Sequence, residues 1–194
     1  MLSSLRPAIV MVALFTLLLG LAYPLAVTGV AQLAFPSQAD GSLVRDADGA
    51  VRGSALIGQT FAEPRYLHSR PSAAGDGYDA SASSGSNLGP LNPDLAERVR
   101  TGAEAIRTEA GAATIPADAV TTSASGLDPH ISPEYAALQA ARIARARGAP
   151  VQEVQRVIDA HTEARLLGFI GQPRVNVLMT NRALDVNFPA AAAQ

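Results

Sequence analysis

The sequence predicts an α+β protein in which one N-terminal transmembrane helix is followed by a single small extracytoplasmic domain. Three observations predict this fold class: an uncharged apolar segment near the start, capped amphipathic helical segments in the second half, and short β-like stretches that do not alternate regularly with helices. The chain has 194 residues. The roughly 155 residues after position 40 are enough for one domain with its own core.

The membrane segment is predicted from an absence of charge. No Asp, Glu, Arg, Lys or His occurs between Arg6 and Asp40. The densest apolar part, residues 8–31, would be about 36 Å long as a helix at 1.5 Å per residue, whereas a bilayer's hydrocarbon core is about 30 Å thick. Helix is expected because backbone amides in lipid must pair within the segment. Pro24 removes one of those hydrogen bonds and is expected to kink the helix after Tyr23.

These observations divide the chain into a cytoplasmic stub at 1–7, a transmembrane helix at 8–31 and an extracytoplasmic domain at 32–194. Arg6 and the free amino terminus favour a cytoplasmic N-terminus, which places the domain on the periplasmic or extracellular side. A cleaved signal peptide is the competing interpretation, with residues 29–31 as its cleavage site. The apolar run is longer than the roughly 7 to 15 residues that such a peptide normally has.

The first part of the predicted domain is rich in turns. Residues 36–53 combine Asp-Gly turn signals with two short β-like stretches, and residues 54–61 are predicted to form a strand. Residues 69–93 are dominated by Ser, Gly, Ala, Pro and Asn, a composition typical of a linker. A structureless loop of that length inside a compact domain is expected to be either functional or disordered.

Three helices and a strand are predicted in the second half. The first helix has Asn92 as its N-cap, the second extends from its cap at Ser132 to Gly148, and the third begins at Pro150. The alternating residues 174–179 are predicted to form a strand. Apolar residues at helical spacing support the first and third helices: Leu95, Val99 and Ile106, then Val151, Val154 and Ile158.

No catalytic or metal site is predicted. The chain has no cysteine, so thiolate ligands, disulfides and a cysteine nucleophile are excluded. His68, His130 and His161 lack metal-ligand spacing, and no phosphate loop, HExxH or GxSxG motif occurs. All basic residues are arginine and the formal net charge is −2, which gives no indication of a nucleic-acid partner.

Several stretches together carry a family resemblance. They occur in order along nearly the whole chain: LRPAIVM from Leu5, YPL from Tyr23, GSLV from Gly41, RGSALIGQTF from Arg52, SRPSA from Ser69, SGSNLGPLNP from Ser84, TTSASGLDPHISP from Thr121, ARIARARG from Ala141 and GQPRVNVLMTNRALD from Gly171. On these stretches the chain resembles the KdpC family, the C chains of bacterial potassium-transporting P-type ATPases. Ser84, Thr180 and Arg182 depart from the usual family pattern.

The resemblance implies a non-catalytic accessory subunit of an ATP-driven, high-affinity potassium uptake pump in the bacterial inner membrane. It implies a four-chain complex with a channel-like A chain, a P-type ATPase B chain and a very small F chain, in contact with membrane lipid. The C chain would serve assembly and promote ATP binding or turnover by the B chain. ATP, magnesium and potassium ions would be used by the complex, and no cofactor would reside in this chain.

The resemblance also suggests particular residues. A family proposal of direct ATP contact through a glutamine corresponds to Gln139. Within the membrane, Gly20, Pro24 and Gly29 are candidate contacts with partner helices. An outside domain cannot touch cytoplasmic ATP, so its influence is expected to be transmitted through the membrane subunits.

A docking hypothesis follows from that topology. The domain is expected to cap the outer mouth of the channel-like chain through residues 69–93 and 123–133. The alternative function is an independent membrane-anchored periplasmic binding module or enzyme.

Overall fold

The computed structural model describes residues 2–189, with side chains described from residue 4 onward. Residues 1 and 190–194 of the predicted stub and domain lie outside the described residues. The chain forms two compact units, which meet between Ser54 and Ala55 in the sequence.

The first unit begins with the predicted membrane helix. Helix α1 spans Leu2–Leu17, a π-helical turn spans Leu18–Ala22, and helix α2 spans Tyr23–Ala34. Residues 4–34 are long and apolar enough to cross a membrane. Their large aliphatic side chains are exposed, as expected for a helix whose solvent is lipid.

The π-helical turn accommodates Pro24. The N–H group of Tyr23 donates to the carbonyl of Leu18, five residues back, and the next residue is the proline, which has no N–H group. The predicted interruption of the α-helical hydrogen bonds therefore takes the form of a π turn, a recognised cause of helix bending.

A short helix and a β-hairpin complete the first unit. Helix α3 spans Pro36–Ala39, and the antiparallel strands β1 and β2 span Leu43–Arg45 and Val51–Ser54. Asp48 Oδ1 accepts a hydrogen bond of 3.0 Å from the Ala50 N–H group inside the turn. The two predicted β-like stretches and the turn-forming aspartates are thus confirmed.

The second unit combines four helices with a small sheet. Helix α4 spans Pro93–Ala110, α5 Pro133–Arg147, α6 Val151–Ala160 and α7 Val177–Asn187. Strands β3, β4 and β5 span His130–Ile131, Thr162–Glu163 and Arg174–Asn176. They form an antiparallel sheet in the order β3-β5-β4. This mixture confirms the predicted α+β class.

The predicted helix caps are confirmed. The Asn92 side chain accepts from the Asp94 N–H group, and Ser132 Oγ accepts from Tyr135 at 3.1 Å. Gly148 ends α5 in the left-handed conformation, with φ of 63°. Pro150 is the N-cap of α6.

The core lies where α5 packs against α6 and the central strand β5. Val154 and Ile158 of α6 are fully buried, whereas Val151, predicted on the same stripe, is half exposed. The remaining buried members of the core come from loops, β3, α5, β5 and α7: Leu67, Ala119, Val120, Ile131, Tyr135, Ala136, Ala140, Ile143, Ala144, Val175, Val177 and Leu184.

The prediction of a strand at residues 54–61 is wrong. Ser54 ends β2, and the residues after it form turns. Their backbone groups bond to distant partners instead of a neighbouring strand: the Ala55 carbonyl accepts from Asn176 Nδ2 at 2.8 Å, and the Gly58 N–H group donates to the Leu127 carbonyl at 2.8 Å. Leu56 and Ile57 are exposed, whereas Phe61 packs against the core, so the apolar residues of this segment do not alternate between two faces of a strand.

The prediction of a strand at residues 174–179 is half wrong, because α7 begins at Val177. Asn176 makes the change, since its side chain accepts from the Met179 N–H group at 3.1 Å and caps the helix. The buried residues Leu178, Asn181 and Leu184 then recur at helical spacing. The alternation of residues 174–176 is compatible with a strand and does not show where the strand ends. Asn176, a common helix N-cap residue, is the signal that could have indicated the start of α7.

Replacing Asn176 by alanine should destabilise the protein by about 2–3 kcal/mol, because it removes the α7 cap and leaves the Ala55 carbonyl without its donor. Chemical denaturation of the full-length chain measures the change. Asn187→Ala, at the exposed end of the same helix, is the control and should stay within about 0.5 kcal/mol of the parent. Equal losses in the two variants would contradict the capping role.

Candidate functional site

The two segments predicted to contact a partner are bonded to each other along much of their length. Ser72 Oγ donates to the Gly126 carbonyl at 2.7 Å. Ser83 Oγ and the Ser84 N–H group both donate to the Ser125 carbonyl, at 2.9 and 3.0 Å. We refer to residues 67–86 together with 121–132 as the loop platform. Hydrogen bonds from its serine hydroxyls hold an irregular backbone in one conformation. A segment whose composition is typical of a linker therefore forms a fixed surface here.

Arg70 joins the two halves of the loop platform. Its guanidinium donates to Asp128 Oδ2 at 3.0 Å, to Thr121 through both its carbonyl and its hydroxyl, and to the Thr122 carbonyl. The arginine side chain is 19% exposed, so this ion pair is largely shielded from water. Because the planar guanidinium of Arg70 donates to four acceptors, it fixes the position of residues 67–86 relative to residues 121–132.

Asp128 is the acidic centre of this junction. Burial raises the pKa of Asp128, but hydrogen bonds from His130 and Arg70 outweigh burial and hold the pKa below its ordinary value of 3.8. Its contribution to stability is therefore present above pH 3.8 and is lost as the pH falls through the lower folded-state pKa. Asp128 acts as a structural anion throughout the neutral range.

Gly126 permits the closest approach within the loop platform. Its φ of 68° lies in the left-handed region. A β-carbon there would lie 2.6 Å from the Ser84 carbonyl oxygen and 2.7 Å from the Ala74 nitrogen. Both the backbone conformation and the space require glycine.

Beneath the loop platform, two side-chain amides replace a neighbouring strand. The Leu67 N–H group donates to Asn181 Oδ1 at 2.7 Å, and Asn181 Nδ2 donates back to the Leu67 carbonyl at 3.0 Å. Gln139 repeats the pattern with His68: its Oε1 accepts from the His68 N–H group at 2.8 Å, and its Nε2 donates to the His68 carbonyl at 3.1 Å. The backbone groups of this buried segment are thereby satisfied without a sheet.

Two arginines bind the carbonyls just before that segment. Arg142 donates to the Pro64 carbonyl at 2.5 Å and the Tyr66 carbonyl at 3.0 Å, and Arg147 donates to the Arg65 carbonyl at 2.7 Å. The Arg147 side chain is only 2% exposed and pairs with Asp185. We refer to Gln139, Asn181, Arg142 and Arg147 as the side-chain clamp.

Gln139, the predicted nucleotide contact, therefore lies inside the fold. Its residue is 4% exposed, and its Oε1 also accepts from Arg142 Nη2 at 2.6 Å. The cavity beside it measures about 20 Å³, against roughly 300–1,000 Å³ for ordinary ligand pockets. A nucleotide would have to displace the His68 backbone from this amide. Nucleotide binding through Gln139 stays a prediction.

His68 contributes a half-buried imidazole to the same region. Burial and the nearby Arg142 lower the pKa of His68 below its ordinary value of 6.5, so the neutral ring is favoured in the folded protein. Any stability that depends on this neutral ring is present above pH 6.5 and is lost as the pH falls through the lower folded-state pKa.

A groove of about 1170 Å³ opens beside the loop platform. Asp118 on its wall accepts from the N–H group and the hydroxyl of Ser132, at 2.7 and 2.9 Å. The apolar part of its lining comes from Pro116, Ile131, Leu138, Leu166, Ile170 and Pro173. Within residues 2–189, no group of three or more acidic, histidine or cysteine side chains is placed to hold a metal ion. The groove has the character of a docking surface.

The three predicted membrane contacts all lie on the exposed surface of the anchor helix. A β-carbon at Gly29 would meet nothing within 4 Å, and one at Gly20 would lie 3.9 Å from the Thr16 methyl. Pro24 follows the π-helical turn. Small residues allow another helix to approach closely, and contact of these positions with partner helices stays a prediction.

The fold, the apolar helix and the loop platform can be compared with known proteins. The family model described as "K+-transporting ATPase, c chain" matches residues 5–186. The chain belongs to the KdpC family. The match includes the membrane helix, the loop platform and every residue of the side-chain clamp.

Individual relatives match over most or all of the chain. The chain is 68% identical over 194 residues to the potassium-transporting ATPase KdpC subunit of Caulobacter vibrioides (strain NA1000 / CB15N), covering 100% of this chain and 98% of that protein. It is 63% identical over 191 residues to the subunit of the same name from Beijerinckia indica, covering 97% and 96%. The corresponding Myxococcus xanthus protein is 59% identical over 173 residues, covering 88% of this chain and 82% of its own length.

Replacing Gly126 by alanine should destabilise the domain by about 3 kcal/mol or more, because left-handed strain adds to overlap with the Ser84 and Ala74 backbones. Gly148→Ala is a matched control, since Gly148 has a φ of 63° but nothing within 4 Å of the added carbon. The control should lose about 1 kcal/mol. Denaturation midpoints measure both, and similar losses would contradict close approach in the loop platform.

Replacing Gln139 by methionine should destabilise the protein by about 2 kcal/mol or more, because the buried N–H and carbonyl groups of His68 lose their partners. Gln152→Met, on the exposed face of α6, is the control for the same change of side chain. ATP affinity of the assembled pump should be measured on the same samples. An unchanged stability combined with weaker ATP binding would contradict the clamp and support a nucleotide contact.

Proposed function

We propose that this chain is the accessory C subunit of an ATP-driven potassium uptake pump in the bacterial inner membrane. The observation that carries the proposal is the family match, which extends from the membrane helix through the complete domain. The partners are a channel-like A chain, a P-type ATPase B chain and a small F chain. ATP, magnesium and potassium ions are used by the complex, and this chain contributes no catalytic residue or cofactor.

The helix at 8–31 is an uncleaved anchor, with the stub at 1–7 in the cytoplasm and the domain at 32–194 on the periplasmic or extracellular side. The charge distribution supports this orientation, because Arg6 precedes the helix and no charge follows until Asp40. Gly20, Pro24 and Gly29 are the positions at which the anchor packs beside partner helices.

The loop platform docks on the outer face of the channel-like chain. Two features support this role: Arg70 and the serines hold an irregular surface in one arrangement, and an apolar groove adjoins it. A surface ordered before binding loses little conformational entropy when a partner arrives. The subunit thereby supports assembly of the complex.

The influence on ATP is a coupling between distant sites. With the domain outside, the free energy of docking favours one state of the membrane subunits, and that state binds or turns over ATP better. Direct contact through Gln139 would need both a cytoplasmic domain and release of the clamp.

The orientation can be tested by cysteine labelling, since the chain has no natural cysteine. Val186→Cys, at a residue that is 81% exposed, should react with a membrane-impermeant maleimide in intact spheroplasts. Ser4→Cys should react only after lysis. The reverse pattern would overturn the proposed topology.

Docking is tested with the same chemistry. Ala82→Cys, at an exposed residue of the loop platform, should react in the chain alone and be protected in the assembled complex. Val186→Cys should react in both.

Two large membrane proteins should co-purify with the tagged chain, and its deletion should abolish potassium-stimulated ATPase activity. If no partner co-purifies and the chain alone retains a ligand-binding or enzymatic activity, the result favours an independent periplasmic module.

A further inference from the structure

A small apolar hairpin projects from the second unit and takes no part in its core. Residues 165–171, which we call the apolar hairpin, expose four large hydrophobic side chains. The exposed fractions are 66% for Leu166, 75% for Leu167, 72% for Phe169 and 48% for Ile170. Large apolar groups concentrated at one tip indicate a surface that is covered in the working protein.

The backbone of the apolar hairpin is bonded internally. Leu166 and Ile170 exchange two hydrogen bonds, of 3.0 and 2.9 Å, and Gly168 and Phe169 donate to the carbonyls of Arg165 and Leu166. These bonds pair the N–H groups of Leu166, Gly168, Phe169 and Ile170, and pairing of backbone groups is a condition for entering an apolar medium. That condition is severe in lipid, where water cannot replace a missing partner.

The backbone at the tip of the apolar hairpin has a strained conformation. Leu167 has a φ of 54° and Gly168 a φ of 80°, both in the left-handed region. Leucine rarely adopts this conformation. Leu167 is 75% exposed, so contacts with the core do not offset this strain, and the hydrogen bonds of the turn hold the conformation.

Two arginines stand at the base of the apolar hairpin. Arg165 Nη2 donates to Gln172 at 3.0 Å, and Arg174 Nε donates to Glu163 at 2.8 Å. Arg174 remains 56% exposed in its side chain. Guanidinium groups bind phosphate oxygens well, so an apolar tip above a base with two arginines matches the order of acyl chain and headgroup in a phospholipid layer.

The size and chemistry of the tip favour lipid over a protein partner. Stable protein interfaces engage roughly 20–30 residues a side and centre on Trp, Tyr and Arg anchors. The tip itself, residues 166–170, offers four aliphatic or phenylalanine side chains and no polar side chain. The chain itself carries a helix that is long and apolar enough to cross a membrane.

We propose that the apolar hairpin inserts Leu167 and Phe169 into the interface of an anionic phospholipid bilayer, with Arg165 and Arg174 on the lipid phosphates. This second, shallow contact would restrain the orientation of the domain relative to the membrane plane. It uses Leu167 and Phe169, which do not line the groove beside the loop platform, and so goes beyond the function proposed above.

The absence of tryptophan from the chain provides a direct test. The full-length Phe169→Trp variant is placed in nanodiscs containing phosphatidylglycerol, with or without bromine near the carbonyl ends of the acyl chains. We expect about twofold or greater quenching by the brominated lipid, because a tip at this boundary lies roughly 5–10 Å deep. Leu91→Trp, at a position outside the apolar hairpin, is the control and should not be quenched. Adding Arg165→Gln and Arg174→Gln to Phe169→Trp should reduce the quenching.

The assembled complex separates lipid from protein. Benzoylphenylalanine introduced at position 169 should form phospholipid adducts on irradiation, detected by mass. Crosslinking to a partner subunit instead, or a water-exposed and unquenched tryptophan in the nanodiscs, would overturn the proposal. Phe169 is 72% exposed, so neither substitution disturbs the core. Co-purification of the pump partners is scored separately and decides the proposed function by itself.

Discussion

The domain depends on satisfying the backbone polar groups around Leu67, a fully buried residue that has no neighbouring strand. Residues 64–68 lead from an exposed turn at Pro64 to this residue, and an unpaired backbone group in the interior costs about 1–3 kcal/mol. The side-chain clamp supplies the partners: Gln139 and Asn181 each bond an N–H and a carbonyl group, and Arg142 and Arg147 bind the carbonyls before them. The clamp residues sit on α5 and α7, so the same bonds hold these helices to the loop.

The order of the loop platform follows from that clamp. His68 is fixed by Gln139, and two residues later Arg70 reaches Asp128 and Thr121. The serines then continue the attachment to Ser125 and Gly126. A segment with a linker's composition is thus held in place from the side-chain clamp onward. A partner can bind it without first ordering it.

Three parts of the chain serve a membrane subunit in different ways. The N-terminal helix can cross the bilayer, the loop platform offers a rigid surface to a partner, and the apolar hairpin offers a lipid-compatible tip. None of these parts needs chemistry of its own, which suits an accessory chain in a family of pump subunits. In the proposed function, their combined effect on a distant ATP site would be a shift between states of the partners, limited by the difference in docking free energy.

The sequence by itself determined the features that depend on local physics. An uncharged apolar run predicted the membrane helix, and Asn92, Ser132 and Gly148 marked helix ends because their bonds are made within a few residues. Only the tertiary structure decided the backbone conformation of residues 55–61, the start of α7 and the burial of Gln139. Their partners lie far away in the chain: 71 residues separate Gln139 from His68, and 114 separate Asn181 from Leu67. A glutamine on a helix has the same letter whether it faces water or a buried backbone, and only the packed fold brings that backbone to it.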